Sequence, residues 1–259
     1  MRNVRICVLL AALWTNPAGA DDAASACKLE PIGTGTVRTV LDGRTVLLDD
    51  GREVRLAAIE APGERGAAAA KAALAELVEA RAVSLKRLGS AAVDRHGRVV
   101  AYVFMSGNEP SAQQALLSRG HARVAGRVGD FACATKLLAA EQAARTGCLG
   151  LWADSYYVMR QAENPTEILA ERGRFTLVEG KVLSVRESGA TIYVNFGRRW
   201  SEDFTVTVLK RNERAFAAVG LELKKLAGQH VSVRGFVEER GGPWIEATRP
   251  EQIEIAAPN

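Results

Sequence analysis

The chain has 259 residues, enough for two modest domains. At 47% hydrophobic and 25% charged residues its make-up is that of an ordinary globular protein, which excludes disorder over most of the length. Lys and Arg number 34 against 30 acids, a net charge of +4, and the whole excess falls in residues 33–152, where the count is 16 against 12; the sign suits a polyanionic partner without proving one.

The amino terminus reads as a signal peptide over residues 1–20. Arg2 and Arg5 form a basic start, Cys7–Trp14 a short apolar core, and Ala18-Gly19-Ala20 a cleavage site. That core is too short to span a bilayer, and nothing downstream approaches the roughly 20 apolar residues a spanning helix needs. The predicted product is exported, periplasmic or secreted, with no membrane span. A lipid on Cys27 is disfavoured, because that site lies far beyond the apolar core.

Residues 21–32 read as a polar lead-in. Thr36–Leu41 and Thr45–Leu48 are β-branched strands, joined at Asp42-Gly43, where glycine would supply a positive φ. Glu53–Ile59 alternates as a half-buried third strand. Gly66–Arg81 is an alanine-rich helix with Leu74, Leu77 and Val78 on one face. Val83–Leu88 and Val99–Phe104 are the fourth and fifth strands. Ser111 caps a helix over Ala112–Arg119 that stops at Gly120, His121–Val124 runs along the barrel edge, and Asp130–Thr146 is the last helix. Five strands with three helices around them make an OB-type barrel over residues 33–152, a shape that often binds nucleic acid or sugar.

Residues 153–174 read as a linker, with Tyr156-Tyr157, an Asn164-Pro165 turn and a short helix at Thr166–Arg172. Residues 175–259 form a second, β-rich unit. Three alternating strands, a helix between Phe216 and Ala227 and two more strands follow in an OB-like order. Tyr193, Phe196, Trp200, Phe204 and Trp244 could stack bases on a sheet face, although such aromatics more often fill a core. The class is therefore mainly β with α (α+β).

Three cysteines remain after cleavage, in an oxidising compartment. Cys133 and Cys148 bracket a helix about 20 Å long, too far apart to bridge each other, so Cys27 is the partner for one of them. The expected pair is Cys27–Cys133, stapling the lead-in to the start of the last helix, with Cys148 a buried thiol beside Leu149 and Trp152.

DGRT at Asp42–Thr45, RLAAIEAPG at Arg55–Gly63, DRHGR at Asp94–Arg98 and AAEQAARTGCLGLW at Ala139–Trp152 follow one another in an order and spacing that resemble the staphylococcal-nuclease (thermonuclease) family. The resemblance implies the same barrel and a calcium-dependent phosphodiesterase ancestry. In active members a pair of carboxylates holds the metal, a glutamate after the proline positions water, and two arginines grip phosphate. Calcium wants several hard oxygen ligands and can polarise a phosphoryl oxygen, while guanidinium forks match phosphate geometry.

Carried over residue by residue, the arginines are Arg55 and Arg98, both intact, and the catalytic set would be Arg55, Arg98 and Glu60. The acids depart from the pattern. Glu60 stands for the aspartate before A-P, Arg44 replaces the second carboxylate of DGDT, and Gly63 replaces the glutamate after the proline, with Glu64 one position late. A metal site could draw only on Glu60 and Asp42. A cation inside a calcium site is an electrostatic contradiction, so the metal centre reads as degenerate. Structural readings stand beside the functional ones: Arg55 pairing Glu60 or Asp42, Arg98 supporting the turn at Gly97, and Arg44 pairing Glu60 in place of the metal. The expected geometry puts Arg55, Glu60, Arg98 and Arg44 in one cleft. His96 and His121 have no second ligand at metal spacing, which argues against zinc.

Three functions compete. The first is a nucleic-acid or phosphate-polyanion binder with weak or no cleavage. The second is an active calcium-dependent nuclease on DNA or RNA. The third is an envelope interaction module using the second unit.

Overall fold

The computed structural model describes residues 27–89, 93–105, 110–199 and 201–256. The expected signal peptide and Trp200 lie outside the described residues. Strands β1 (Glu30–Asp42), β2 (Thr45–Leu48), β3 (Glu53–Leu56), β4 (Ala82–Arg87) and β5 (Val99–Phe104) close into a barrel in the order β1-β2-β3-β5-β4. All neighbours are antiparallel except β3 and β5. Alternation explains the closure: Val37, Val46, Leu48, Val54, Leu56, Leu85 and Ala101 point inward and are fully buried.

Helices α1 (Ala67–Val78), α2 (Ala112–Ser118) and α3 (Phe131–Thr146) surround the barrel. Ser111 forms a capping box with Gln114 at the start of α2, and Asp130 caps α3 by accepting from Cys133 N at 2.9 Å. Cys27 and Cys133 form a disulfide, which ties the start of the described chain to α3. Cys148 is exposed rather than buried, because it sits past the end of α3 in a left-handed turn (φ 50°) that turns it away from the core. In non-reduced peptide maps Cys27 should appear linked to Cys133, with Cys148 labelled by a thiol reagent in the native protein. A Cys27–Cys148 peptide would contradict the pairing.

Several boundaries differ from the sequence reading. The lead-in is already strand from Glu30, since it pairs with β4. The third strand stops at Leu56 because Ala58 takes a left-handed conformation (φ 63°); Ile59–Glu60 then pairs instead with Arg123–Val124. Gly43 does not have a positive φ. Glycine is needed there for another reason: a Cβ would lie 2.8 Å from Ala70 Cβ and 3.1 Å from Ala61 Cβ.

The carboxy-terminal unit contains β6 (Phe175–Lys181), β7 (Ser184–Ser188), β8 (Thr191–Asn195), β9 (Thr205–Leu209), β10 (His230–Phe236), β11 (Glu238–Arg240), β12 (Gly242–Glu246) and β13 (Ile253–Ile255). They form a five-stranded sheet, β7-β8-β9-β12-β11, and a four-stranded sheet in which Arg160–Gln161 extends β13-β10-β6. A meander of three, a third strand parallel to the last long strand and a fourth returning to the first repeat the barrel's pairings. No β10–β12 ladder joins the two sheets among the described residues, so this barrel stays open at one seam. The helix falls earlier than expected, at Lys210–Ala217, since Gly220 at φ 81° breaks the segment; Leu223–Leu226 is a separate 3-10 turn. Phe196, Phe204 and Trp244 are buried in this unit, and only Tyr193 among the described aromatics considered for stacking is half-exposed.

A charged network joins the two units. Arg234, on β10, is 1% exposed. It donates to Val124 O at 3.1 Å, pairs with Glu141 of α3 at 2.8 Å and is ion-paired with Glu254. Glu251 accepts from the Val128 and Gly129 N–H groups at 2.8 and 3.1 Å. No helix among the described residues is long and apolar enough to cross a membrane.

Candidate phosphate-binding cleft

Arg55 sits between Val54 and Leu56 on β3. Because those two face the barrel interior, its side chain leaves on the outer side, opposite Thr45 and beside Val100. Its guanidinium has no hydrogen bond or ion pair among the described residues, so the pairings with Glu60 or Asp42 considered from sequence do not form. Burial and then the neighbouring Arg44 charge pull its pKa down, Glu60 partly offsets them, and Arg98 adds to the lowering. Arg44, Glu60, Arg98 and Asp94 are thus all within electrostatic reach of Arg55.

Arg98 ends a turn built on Asp94, whose backbone N–H donates to Arg98 O at 2.9 Å. Gly97, at φ 80°, supplies the positive φ of that turn. The Asp94 carboxylate accepts from Arg98 Nε at 2.9 Å and from the His96 and Arg98 N–H groups at 2.8 and 3.1 Å. Desolvation works to raise the Asp94 pKa, but these hydrogen bonds prevail and bring it to about 2. Arg98 therefore stays turned toward Asp94. It lines a recess with Arg52 and His96, while Arg55 and Arg44 line other cavities, and it stays within electrostatic reach of Arg55. His96 is an exposed turn residue.

The Arg44 N–H donates to Asp42 Oδ1 at 2.8 Å, an Asx turn that closes the hairpin. The Arg44 side chain forms an ion pair with Glu60 and lies 3.5 Å from Ile59 O. Both carboxylates named as metal ligands thus face protein donors. No group of three His, Cys, Asp or Glu side chains able to hold a metal occurs among the described residues. Gly63 opens onto free space, and Glu64 beside it is exposed. This donor set does not fit a calcium ion, which needs several anionic oxygens and no cation among them.

Two cavities meet at Glu60, Phe175 and Phe236, in the seam between the barrel and the carboxy-terminal unit. One, of about 500 Å³, is lined by Arg55 and Arg127 opposite Glu238 and Glu246. The other, of about 680 Å³, is lined by Arg44, Gly63, Glu64 and Arg123 opposite Tyr157 and Arg174. The sequence reading took neither Arg123 nor Phe175 as a site residue. A signal existed for Arg123, since it alternates with Ala122 and Val124, which are fully buried. Phe175 carried none, because only tertiary packing brings it to the seam.

No curated protein matches the chain. The staphylococcal nuclease homologue family matches it over residues 53–154, the stretch that carries Arg55, Glu60 and Arg98. Together with the closed five-stranded barrel, that match makes this part of the chain a staphylococcal-nuclease-like domain.

Proposed function

We propose that the chain is an exported binder of nucleic acid or another phosphate polyanion, with weak or no cleavage. The observation that carries this reading is the Arg44–Glu60 ion pair, which puts a fixed internal cation where the family's pattern needs a metal-ligand carboxylate. Gly63 removes the acid that would position water. Arg55 is unpaired among the described residues and remains available for a phosphate oxygen, while Arg98 would share its fork with Asp94. The nuclease-like domain points to a nucleic-acid-related role; the loss of chemistry and the export are this proposal's own additions.

The test uses the mature chain with single-stranded DNA and RNA, in calcium or in chelator. Binding should weaken as salt rises and be indifferent to calcium, with little product formed. Arg55→Ala should lower the slope of log K against log salt by about 0.7, and Arg98→Ala by less, because Asp94 already occupies Arg98. Robust calcium-dependent hydrolysis abolished by either substitution would overturn the reading in favour of an active nuclease.

A further inference from the structure

Five arginines and three glutamates line the 680 Å³ seam cavity. Four of the arginines have protein acceptors. Arg44 pairs with Glu60, Arg65 with Asp154 at 3.1 Å, and Arg160 and Arg174 share Glu171 at 2.6 and 3.7 Å. Arg123 is the exception. Its Nε is buried and has no hydrogen-bond partner, and no ion pair or hydrogen bond of its side chain occurs among the described residues. The Tyr157 and Phe175 rings lie 5.3 and 5.1 Å from its guanidinium carbon.

Stacking of this kind orients a guanidinium without satisfying its N–H donors, which lie in its plane. Arg123 is half-buried, and its enclosed Nε left in that state is costly; burial lowers the Arg123 pKa, with Glu141 offsetting part of the shift. An arginine nevertheless keeps its charge at any physiological pH. The group that resolves the mismatch is an oxyanion entering from the cavity, and a phosphate offers the paired oxygens a guanidinium edge matches. Two acids reach Arg123 electrostatically, Glu141 more strongly than Glu60; Glu141 is already paired with Arg234 and Glu60 with Arg44, so neither is bonded to Arg123.

The rim adds a second contact. Phe236 is 55% exposed, lines the same cavity and meets Phe175 edge-on at 5.6 Å. An exposed ring beside an anion site is a platform for a planar base, and the cavity volume lies within the range of small-molecule sites.

We propose that the seam cavity is a nucleotide site, distinct from the Arg55 face, in which Arg123 holds a phosphate monoester and Phe236 stacks the base. Tyr157 and Phe175 act as positioning residues that fix the Arg123 fork. The phosphate comes either from a free nucleotide or from the phosphorylated end of a strand. The site uses Phe175 and Phe236 from beyond the family match, so it depends on the carboxy-terminal unit being docked.

Isothermal titration of the full mature chain with inorganic phosphate, a nucleoside 5′-monophosphate, and one short single strand with and without a 5′-phosphate tests this. Wild type should bind the monophosphate more tightly than phosphate alone. Arg123→Met, which keeps the aliphatic stem, should weaken both by about tenfold or more, and Arg123→Lys, which keeps the charge but loses the fork, should weaken them by less. Phe236→Ser should weaken the monophosphate while leaving inorganic phosphate unchanged. If a 5′-phosphate tightens strand binding through Arg123, the source is a strand end; if it does not, the source is a free nucleotide. Absence of monophosphate binding by wild type, or equal binding by Arg123→Met, would overturn the proposal. Should the Arg123 variants fail to fold, unchanged monophosphate affinity in Phe236→Ser would overturn it instead. The two readings fail separately: the polyanion reading fails if unphosphorylated strands ignore Arg55→Ala, and this one if the monophosphate ignores Arg123→Met.

Discussion

Arg234→Leu should destabilise the folded chain by about 3–5 kcal/mol, the usual result of removing one partner from a buried ion pair. The side chain is fully enclosed, and its loss leaves the buried Glu141 and the three-quarters-buried Glu254 without their principal counter-charge. Arg145, 3.2 Å from Glu254 and 4.0 Å from Glu141, offsets part of this. Urea unfolding of wild type and variant measures the difference; a change under 1 kcal/mol, on the scale of an exposed pair, would show that the network contributes nothing beyond packing. The pH dependence carries a second signature. Burial alone would raise the Glu254 pKa, but the Arg234 and Arg145 charges outweigh it and hold the pKa below the usual 4.5. A depressed carboxylate contributes stability that is fully present above its unfolded value and lost as pH falls through its folded one. Wild type should therefore lose this contribution below about pH 4.5, and Arg234→Leu should lose less over the same range.

Calcium-dependent cleavage should appear in a variant carrying Arg44→Asp, Glu60→Asp and Gly63→Glu together. The expected gain is about 100-fold or more over wild type on single-stranded DNA, while each single change stays near the baseline, because metal ligands and the water-positioning acid act as a unit. The local structure accommodates all three. The hairpin at position 44 is closed by the backbone N–H to Asp42, not by the Arg44 side chain. Position 63 has no neighbour within 4 Å of an added Cβ. Once Arg44 is gone, a shorter acid at position 60 loses the one cation bonded to it, with Arg55 and Arg123 still in electrostatic reach. A correctly folded triple variant that binds DNA but cuts no faster than wild type would contradict the proposal that these three positions withhold a metal site.

Strand alternation, the Asp42-Gly43 and Asp94–Arg98 turns and the Ser111 cap act locally, and the five strands and three helices of the barrel were legible from them. The Arg44–Glu60 pairing was legible too, as one of the ion pairs that the sequence reading set beside the functional roles. What the sequence could not reveal depends on distant partners. Ala58 breaks the third strand because Ile59–Glu60 finds Arg123–Val124 across the barrel. Gln113 looks like an ordinary helix residue, yet its buried amide donates to Ala101 O at 2.9 Å and accepts from Val103 N at 3.2 Å, holding α2 to β5. Arg98 could have gripped an external phosphate or its own turn, and only the side-chain geometry puts it on Asp94. Arg234 sits in a strand that reads as VSVRGF, where an arginine between apolar residues suggests an exposed face; it is buried among Val124, Glu141 of α3 and Glu254 of the neighbouring strand.

That docking bears on the order in which the chain can mature. Val124 O and the guanidinium that caps it are 110 residues apart. A ribosome adding about 5–20 residues per second needs on the order of 5–20 s to cover that interval. Throughout it Glu141 has one oxygen bonded to Val124 N–H at 2.9 Å and the other facing only Arg145, 4.0 Å away on the same helix. The closed sheet gives residues 30–146 the outline of an autonomous module, but the buried Glu141 of α3 gains its 2.8 Å partner only once β10 has been synthesised. A fragment cut after α3 should therefore behave as a loosened intermediate, with native-like strands and a mobile last helix.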